Sequence, residues 1–195
     1  SPAFLELCLF NFAASAAVFA LLPVAPYRIH DLGGPTEAAG LFLGSLTFAS
    51  ALSAPFTGAL GDRLGQGRVL ATAATAIAAL FALYAFVTIW PLFVALAFAQ
   101  GIFWSALLTS SGAYAVRLIP ESRRGEGFAV HGMATILAIS LAPSVGFALF
   151  ALGWRWLTAT LEIVSPTPIS ARTYSAVNPN RRPSEPRIGT PYASV

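Results

Sequence analysis

Charge is what this chain has least of. Asp, Glu, Lys and Arg together make up 10% of its 195 residues, against about 25% in a soluble globular domain. So few charges over this length cannot cover a water-facing surface, so lipid must be part of the solvent. Lysine is missing altogether: all 11 basic residues are Arg, a bias of coding rather than of mechanism. There is one cysteine, Cys8, inside an apolar run. It excludes a disulfide within the chain, and no Cys/His set has the spacing of a metal site. Cys8 is expected to be a small packing residue. With two His in the chain and no Asp inside an apolar run, the catalytic sets of membrane-embedded enzymes are also missing.

What is present is apolar. Hydrophobic residues make up 56% of the chain, and the mean hydropathy is +0.72. The net charge of +3 does not mark a nucleic-acid binder. The arginines fall in short gaps between apolar runs and in the tail, as they do in membrane loops, rather than on one basic face.

Five apolar stretches cover residues 3–23, 38–60, 69–90, 91–116 and 127–152. At about 1.5 Å per residue they reach roughly 32–39 Å, enough to cross a hydrocarbon core of about 30 Å. They must be helices, because lipid offers no partner to open backbone groups. Their continuity excludes a β-barrel, which needs alternating segments of about ten residues. The expected fold is an all-α membrane protein of five transmembrane helices plus a truncated sixth, Trp154–Val164. Residues 165–195 are rich in Pro, Ser and Arg and lack an apolar period, which predicts disorder. The chain begins with Ser1 rather than Met, so a removed start or a fragment is expected. The first run is too long for a signal-peptide core.

Orientation follows from the Arg count. The gaps Gly61–Arg68 and Arg117–Glu126 hold Arg63, Arg68, Arg117, Arg123 and Arg124, and the opposite gaps hold Arg28 and Arg155. The excess predicts a cytoplasmic N-terminus. Trp90, Trp154 and Trp156 then fall at the outer interface, as a belt of aromatic residues would. Five spans would leave the Arg-bearing tail outside, against the charge rule, so a sixth span is expected and missing.

The most informative loop is Gly58-Ala59-Leu60-Gly61-Asp62-Arg63-Leu64-Gly65-Gln66-Gly67-Arg68. Small residues let its helix approach a neighbour, Gly65 permits a tight turn, and Asp62 can sit at the positive end of a helix and pair with Arg. The plain alternative is a Gly-rich loop with solvated charges. A second pattern, Ala138, Ala142, Pro143 and Gly146, gives a run of small residues one turn apart with a kink. Its plain alternative is an ordinary bent helix. Polar residues at usable depth are Asn11, Ser15, Gln100, Ser105, Ser140 and Ser144. Asn11, Gln100, Ser105, Ser140 and Ser144 are the candidate cavity-lining set; each can equally be a partner between helices. Glu6 and His131 lie close enough to helix ends to reach an interface, and Trp104 faces either lipid or a cavity.

The loop resembles the motif between helices two and three of the major facilitator superfamily. Gly58, Leu60, Asp62, Arg63, Gly65 and Arg68 match it, and Gln66 and Gly67 stand where basic residues are usual. Leu22-Pro23-Val24-Ala25-Pro26-Tyr27 and Asp31-Leu32-Gly33-Gly34 are similar to the first helix end of efflux-like members. Ile119-Pro120-Glu121-Ser122-Arg123-Arg124-Gly125-Glu126-Gly127 is similar to the family's loop from helix four to five. Pro143 and Gly146 match the antiporter motif of helix five, with Ala138, Ala142 and Phe147 in place of glycines. Gln100 and Gly101 are in register with a helix-four pattern, but Ala97 stands where it has an Arg linked with proton coupling.

The resemblance implies half of a facilitator-type bundle, a conformational latch at the matched loop, and helices one, two, four and five facing a cavity. It implies secondary active transport of a small solute by alternating access, with efflux favoured over import, at the plasma membrane. It implies no cofactor and no metal. Expected partners are the lipid bilayer and either a missing C-terminal half or a second copy as homodimer. The alternatives are a truncated or frame-shifted product without function and, remotely, a membrane-embedded enzyme.

Overall fold

The computed structural model describes residues 2–165. The predicted disorder of the tail falls, Ser165 apart, outside them. The described residues form α1 (Pro2–Leu21), α2 (Ala25–Asp31), α3 (Thr36–Leu64), α4 (Gln66–Phe86), α5 (Trp90–Leu118), a 3₁₀ turn (Glu121–Arg123), α6 (Arg124–Leu152) and α7 (Trp154–Val164). Five helices are long and apolar enough to cross a membrane, with α1 and α2 acting together as one of them. The expected all-α membrane fold is therefore the observed one.

α3, α5 and α6 run further than the apolar runs expected for them, whereas α1 ends at Leu21 and α4 at Phe86, short of the expected 23 and 90. α3, α5 and α6 each hold 29 residues, about 43 Å at 1.5 Å per residue, so their ends carry the polar turns. α7 has 11 residues, roughly 16 Å, about half of a hydrocarbon core. The stretch Val24–Glu37, expected as a loop, contains α2. Pro26 sits in its first turn, where the missing N–H costs nothing, while Val24, Ala25 and Ile29 are buried.

In chain order the long helices and α7 form two triplets, α1–α3–α4 and α5–α6–α7, and the main packing runs between them rather than within them. The first helix of each triplet packs on the second helix of the other: α1 on α6, and α5 on α3. The third helices, α4 and α7, pack on each other. Successive long helices reverse direction, so α1 and α5 run opposite ways and the triplets are inverted relative to each other. This crosswise pairing is the arrangement of inverted repeats.

Two of the contacts are backbone-close. Gly101 of α5 faces the Leu46 carbonyl oxygen of α3, and Gly146 of α6 faces that of Ala20 at the end of α1. At each position a Cβ would overlap that oxygen, so the crossing requires glycine.

The bundle has an Arg-rich end, where α3 meets α4 and α5 meets α6, and an Arg-poor end. At the Arg-poor end an aromatic cluster closes the core. Phe93 packs on Phe42, Tyr84 and Trp154 with ring centroids 5.4, 4.7 and 5.6 Å apart. Trp154 Nε1 donates to the Tyr84 carbonyl at 3.0 Å, and the Arg28 guanidinium lies 5.1 Å from the Trp154 ring centre. Trp154 is 8% exposed and belongs to the core at this end. Trp156 is exposed.

Candidate functional site

The α3–α4 joint is a single residue. α3 ends at Leu64, α4 begins at Gln66, and Gly65 between them has φ +93°. That left-handed region is open to glycine at little cost. The Gly65 N–H closes α3 on the Gly61 carbonyl at 3.0 Å. Asp62 and Arg63 are exposed on the last turn of α3. Asp62 Oδ1 accepts a hydrogen bond from Gln66 Nε2 at 3.1 Å, which ties the carboxylate to the first turn of α4, the positive end of that helix.

The sequence points to Arg as a partner of Asp62, and the structure shows a partner it did not name, Gln66. Gln66 is buried, and its carboxamide lies over Gly61, where a Cβ would overlap it. Gly61 and Gln66 are thus working members of the joint that the motif positions alone do not mark. The signal lies in the spacing: residues 62 and 66 are one turn apart. Gly58 has open space where a Cβ would stand, and Leu60 is exposed. Neither is required by packing within the described residues.

The small-residue pattern of α6 forms one face. Ala138, Ala142 and Gly146 are the buried residues of this helix, spaced four apart and turned toward α1. Pro143 lies within the helix beside them.

The candidate cavity-lining residues separate into two groups. Asn11, Gln100 and Ser105 are buried in the bundle. Asn11 Nδ2 donates to Thr135 Oγ1 at 2.6 Å and joins α1 to α6. Ser105 and Thr57 stand 3.4 Å apart, hydroxyl to hydroxyl, between α5 and α3, with Thr109 3.4 Å from Thr57. Gln100 is fully buried, and neither its amide nitrogen nor its amide oxygen has a partner among the described residues. Ser140 and Ser144 lie on the exposed face of α6, and the Ser140 hydroxyl bonds back to Ile136 O at 2.9 Å. The five residues are therefore not brought together within this bundle. His131 pairs with Ser111 across α5 and α6 at 3.4 Å. Trp104 is buried, edge-on to Phe19 at 6.1 Å.

The α5–α6 junction carries two exposed ion pairs, Arg123–Glu126 at 2.6 Å and Arg124–Glu121 at 3.0 Å. Such pairs contribute little stability, about 0–1 kcal/mol, and suit the interfacial position of the turn. No group of His, Cys, Asp or Glu among the described residues has the arrangement of a metal site.

Inverted triplets, a one-residue joint with Asp62 clasped to α4, and a small face on α6 are joined by a match at the level of sequence. Residues 7–171 match the family model of the Major Facilitator Superfamily. This chain belongs to the major facilitator superfamily. No curated protein matches it. Members of this superfamily are membrane transporters and not enzymes, so the chain is an integral, multi-pass membrane protein of a transporter family. In the superfamily's terms, α1 with α2 is the first helix, α3 to α6 are the second to fifth, and α7 stands at the place of the sixth.

Proposed function

We propose that the chain forms one half of a secondary active transporter that exports a small solute from the cell by alternating access. The plasma membrane is its site, with the N-terminus and the Arg-rich end in the cytoplasm. A second helical half, from further polypeptide or from a second copy, completes the cavity.

The observation that carries this reading is the unequal burial of the helices. α3 and α6 bury few residues and hold long exposed apolar faces, including Phe48, Leu52 and Phe56 on one and Met133, Ile136 and Leu137 on the other. They are the matching second helices of the two triplets. Two equivalent helices with open faces suit a bundle that rocks against a second body. The Asp62–Gln66 clasp lies at the base of one of them and suits a latch whose engagement differs between two states. The excess of Arg at the α3–α4 and α5–α6 ends supports the orientation, and the similarity to efflux-like members supports export.

The test is flux from vesicles that hold this half together with a second half. A panel of hydrophobic cations, sugars and amino acids is loaded, with and without Asp62→Asn. Saturable, gradient-driven export that the substitution reduces is the expected result. Flux equal to that of empty vesicles for every solute overturns the reading.

A further inference from the structure

At the Arg-poor end a recess of about 400 Å³ opens between α2, the start of α3 and the last turn of α6. Small-molecule sites commonly occupy roughly 300–1,000 Å³, with mostly apolar walls and a few polar groups. Here Tyr27, His30 and Asp31 come from α2, Gly34 and Thr36 from the turn into α3, and Phe150 from α6.

One wall is aromatic. The Tyr27 ring stands edge-on to Phe147 at 5.8 Å and tilted against Phe150 at 6.4 Å. The faces of such rings attract cations. The opposite feature is a carboxylate: Asp31 is exposed and has no hydrogen-bond or ion-pair partner among the described residues. Arg28, three residues earlier, has its guanidinium over the Trp154 ring instead. Among the described residues the recess lining holds one carboxylate and no Arg.

The turn beneath it is fixed. The Gly34 N–H bonds to Ile29 O at 2.9 Å, and a Cβ on Gly34 would come within 2.9 Å of that oxygen and 3.1 Å of the Trp90 ring. The backbone that carries Asp31 is therefore fixed against the start of α3 before any ligand arrives, which lowers the cost of binding.

We propose that this recess binds a small organic cation, a singly charged ammonium compound, at the mouth of the bundle rather than at its midplane. The ammonium group lies between Asp31 and the Tyr27 ring, and the apolar part lies against Phe150. The site uses only α2, α3 and α6, so it requires neither a second half nor transport.

The experiment is equilibrium dialysis of radiolabelled benzyltrimethylammonium against the full chain in nanodiscs of neutral phosphatidylcholine. Saturable binding at one site per chain is expected. Asp31→Asn is expected to weaken it about three- to fivefold, the upper part of the range for an exposed ion pair. Tyr27→Leu is expected to weaken it about two- to fivefold, the scale of an exposed cation–ring contact. Glu37→Gln, an exposed carboxylate outside the lining, is expected to leave it unchanged. Uptake that rises linearly with concentration overturns the proposal. So does wild-type affinity in Asp31→Asn, or an equal loss in Glu37→Gln, which would indicate diffuse surface charge. If Asp31→Asn does not assemble, Tyr27→Leu decides, and wild-type affinity in that variant overturns the site.

Discussion

Gly146 of α6 rests on the carbonyl oxygen of Ala20, so close that a Cβ at position 146 would overlap it. Gly101 meets the Leu46 carbonyl in the same way on the other crosswise pair. Gly146→Ala and Gly101→Ala are expected to destabilise the bundle by about 1–3 kcal/mol each, the usual range for overpacking. Gly112, which is also inside a helix, has open space at its Cβ position, and Gly112→Ala is expected to be neutral or slightly stabilising. Unfolding of the purified variants in mixed micelles, followed by circular dichroism, measures all three.

Removal of the charge at Asp62 is expected to shift the conformational balance without loss of expression. Asp62→Asn in an assembly with both halves should move the state populations by roughly 1–3 kcal/mol, the usual scale of such coupling. Gly61→Ala should do so as well, because it displaces the Gln66 carboxamide from its place over Gly61. Distances between spin labels on the two halves report the populations. Unchanged distances and unchanged flux would reduce the joint to a turn.

Topology is open to direct labelling. In a Cys8→Ala background, Arg63→Cys is expected to resist an impermeant maleimide in intact cells and to react after permeabilisation. Glu37→Cys is expected to react in intact cells. Both positions are exposed, so reactivity reports sidedness rather than burial. The reverse pattern would invert the orientation.

The Arg-poor end depends on Trp154. Trp154→Phe keeps a ring beneath Arg28 but removes the donor to the Tyr84 carbonyl. A loss of about 1–3 kcal/mol is expected, because that carbonyl is left without the indole partner in a buried site. Trp156→Phe, at an exposed position on the same helix, is expected to change stability little. Thermal unfolding of the two variants separates them.

The five spans are legible because each is a continuous apolar run; the structure adds polar end turns to α3, α4, α5 and α6, and ends α1 at Leu21 and α4 at Phe86, short of the runs to 23 and 90. The face of α6 is legible as well, since Ala138, Ala142 and Gly146 repeat every four residues. That spacing already places Ser140 and Ser144 elsewhere: two residues along a helix is a rotation of about 200°, which puts them on the opposite face. α2 is not legible, because Pro23, Pro26, Gly33 and Gly34 carry the marks of a loop, and only the burial of Val24, Ala25 and Ile29 holds the turn in helical form. The burial of Trp154 escapes for another reason. Core and interface both favour aromatic residues in a membrane, and composition does not separate them. The Asn11–Thr135 bond joins residues 124 positions apart, a pairing that only the crossing of α1 and α6 creates.

The one-residue joint at Gly65 leaves no slack between α3 and α4. Each residue added to a helix rotates its downstream part by about 100°. An insertion there would swing the buried face of α4, with Ile77, Phe81 and Tyr84, away from its neighbours, or else would have to be absorbed as an outward loop that parts Asp62 from Gln66. The joint therefore keeps phase between two helices as a gear tooth does. Its length is under tighter constraint than most of its letters, and length variation along this chain is expected in the turns after Leu32 and Phe86 before it is found here.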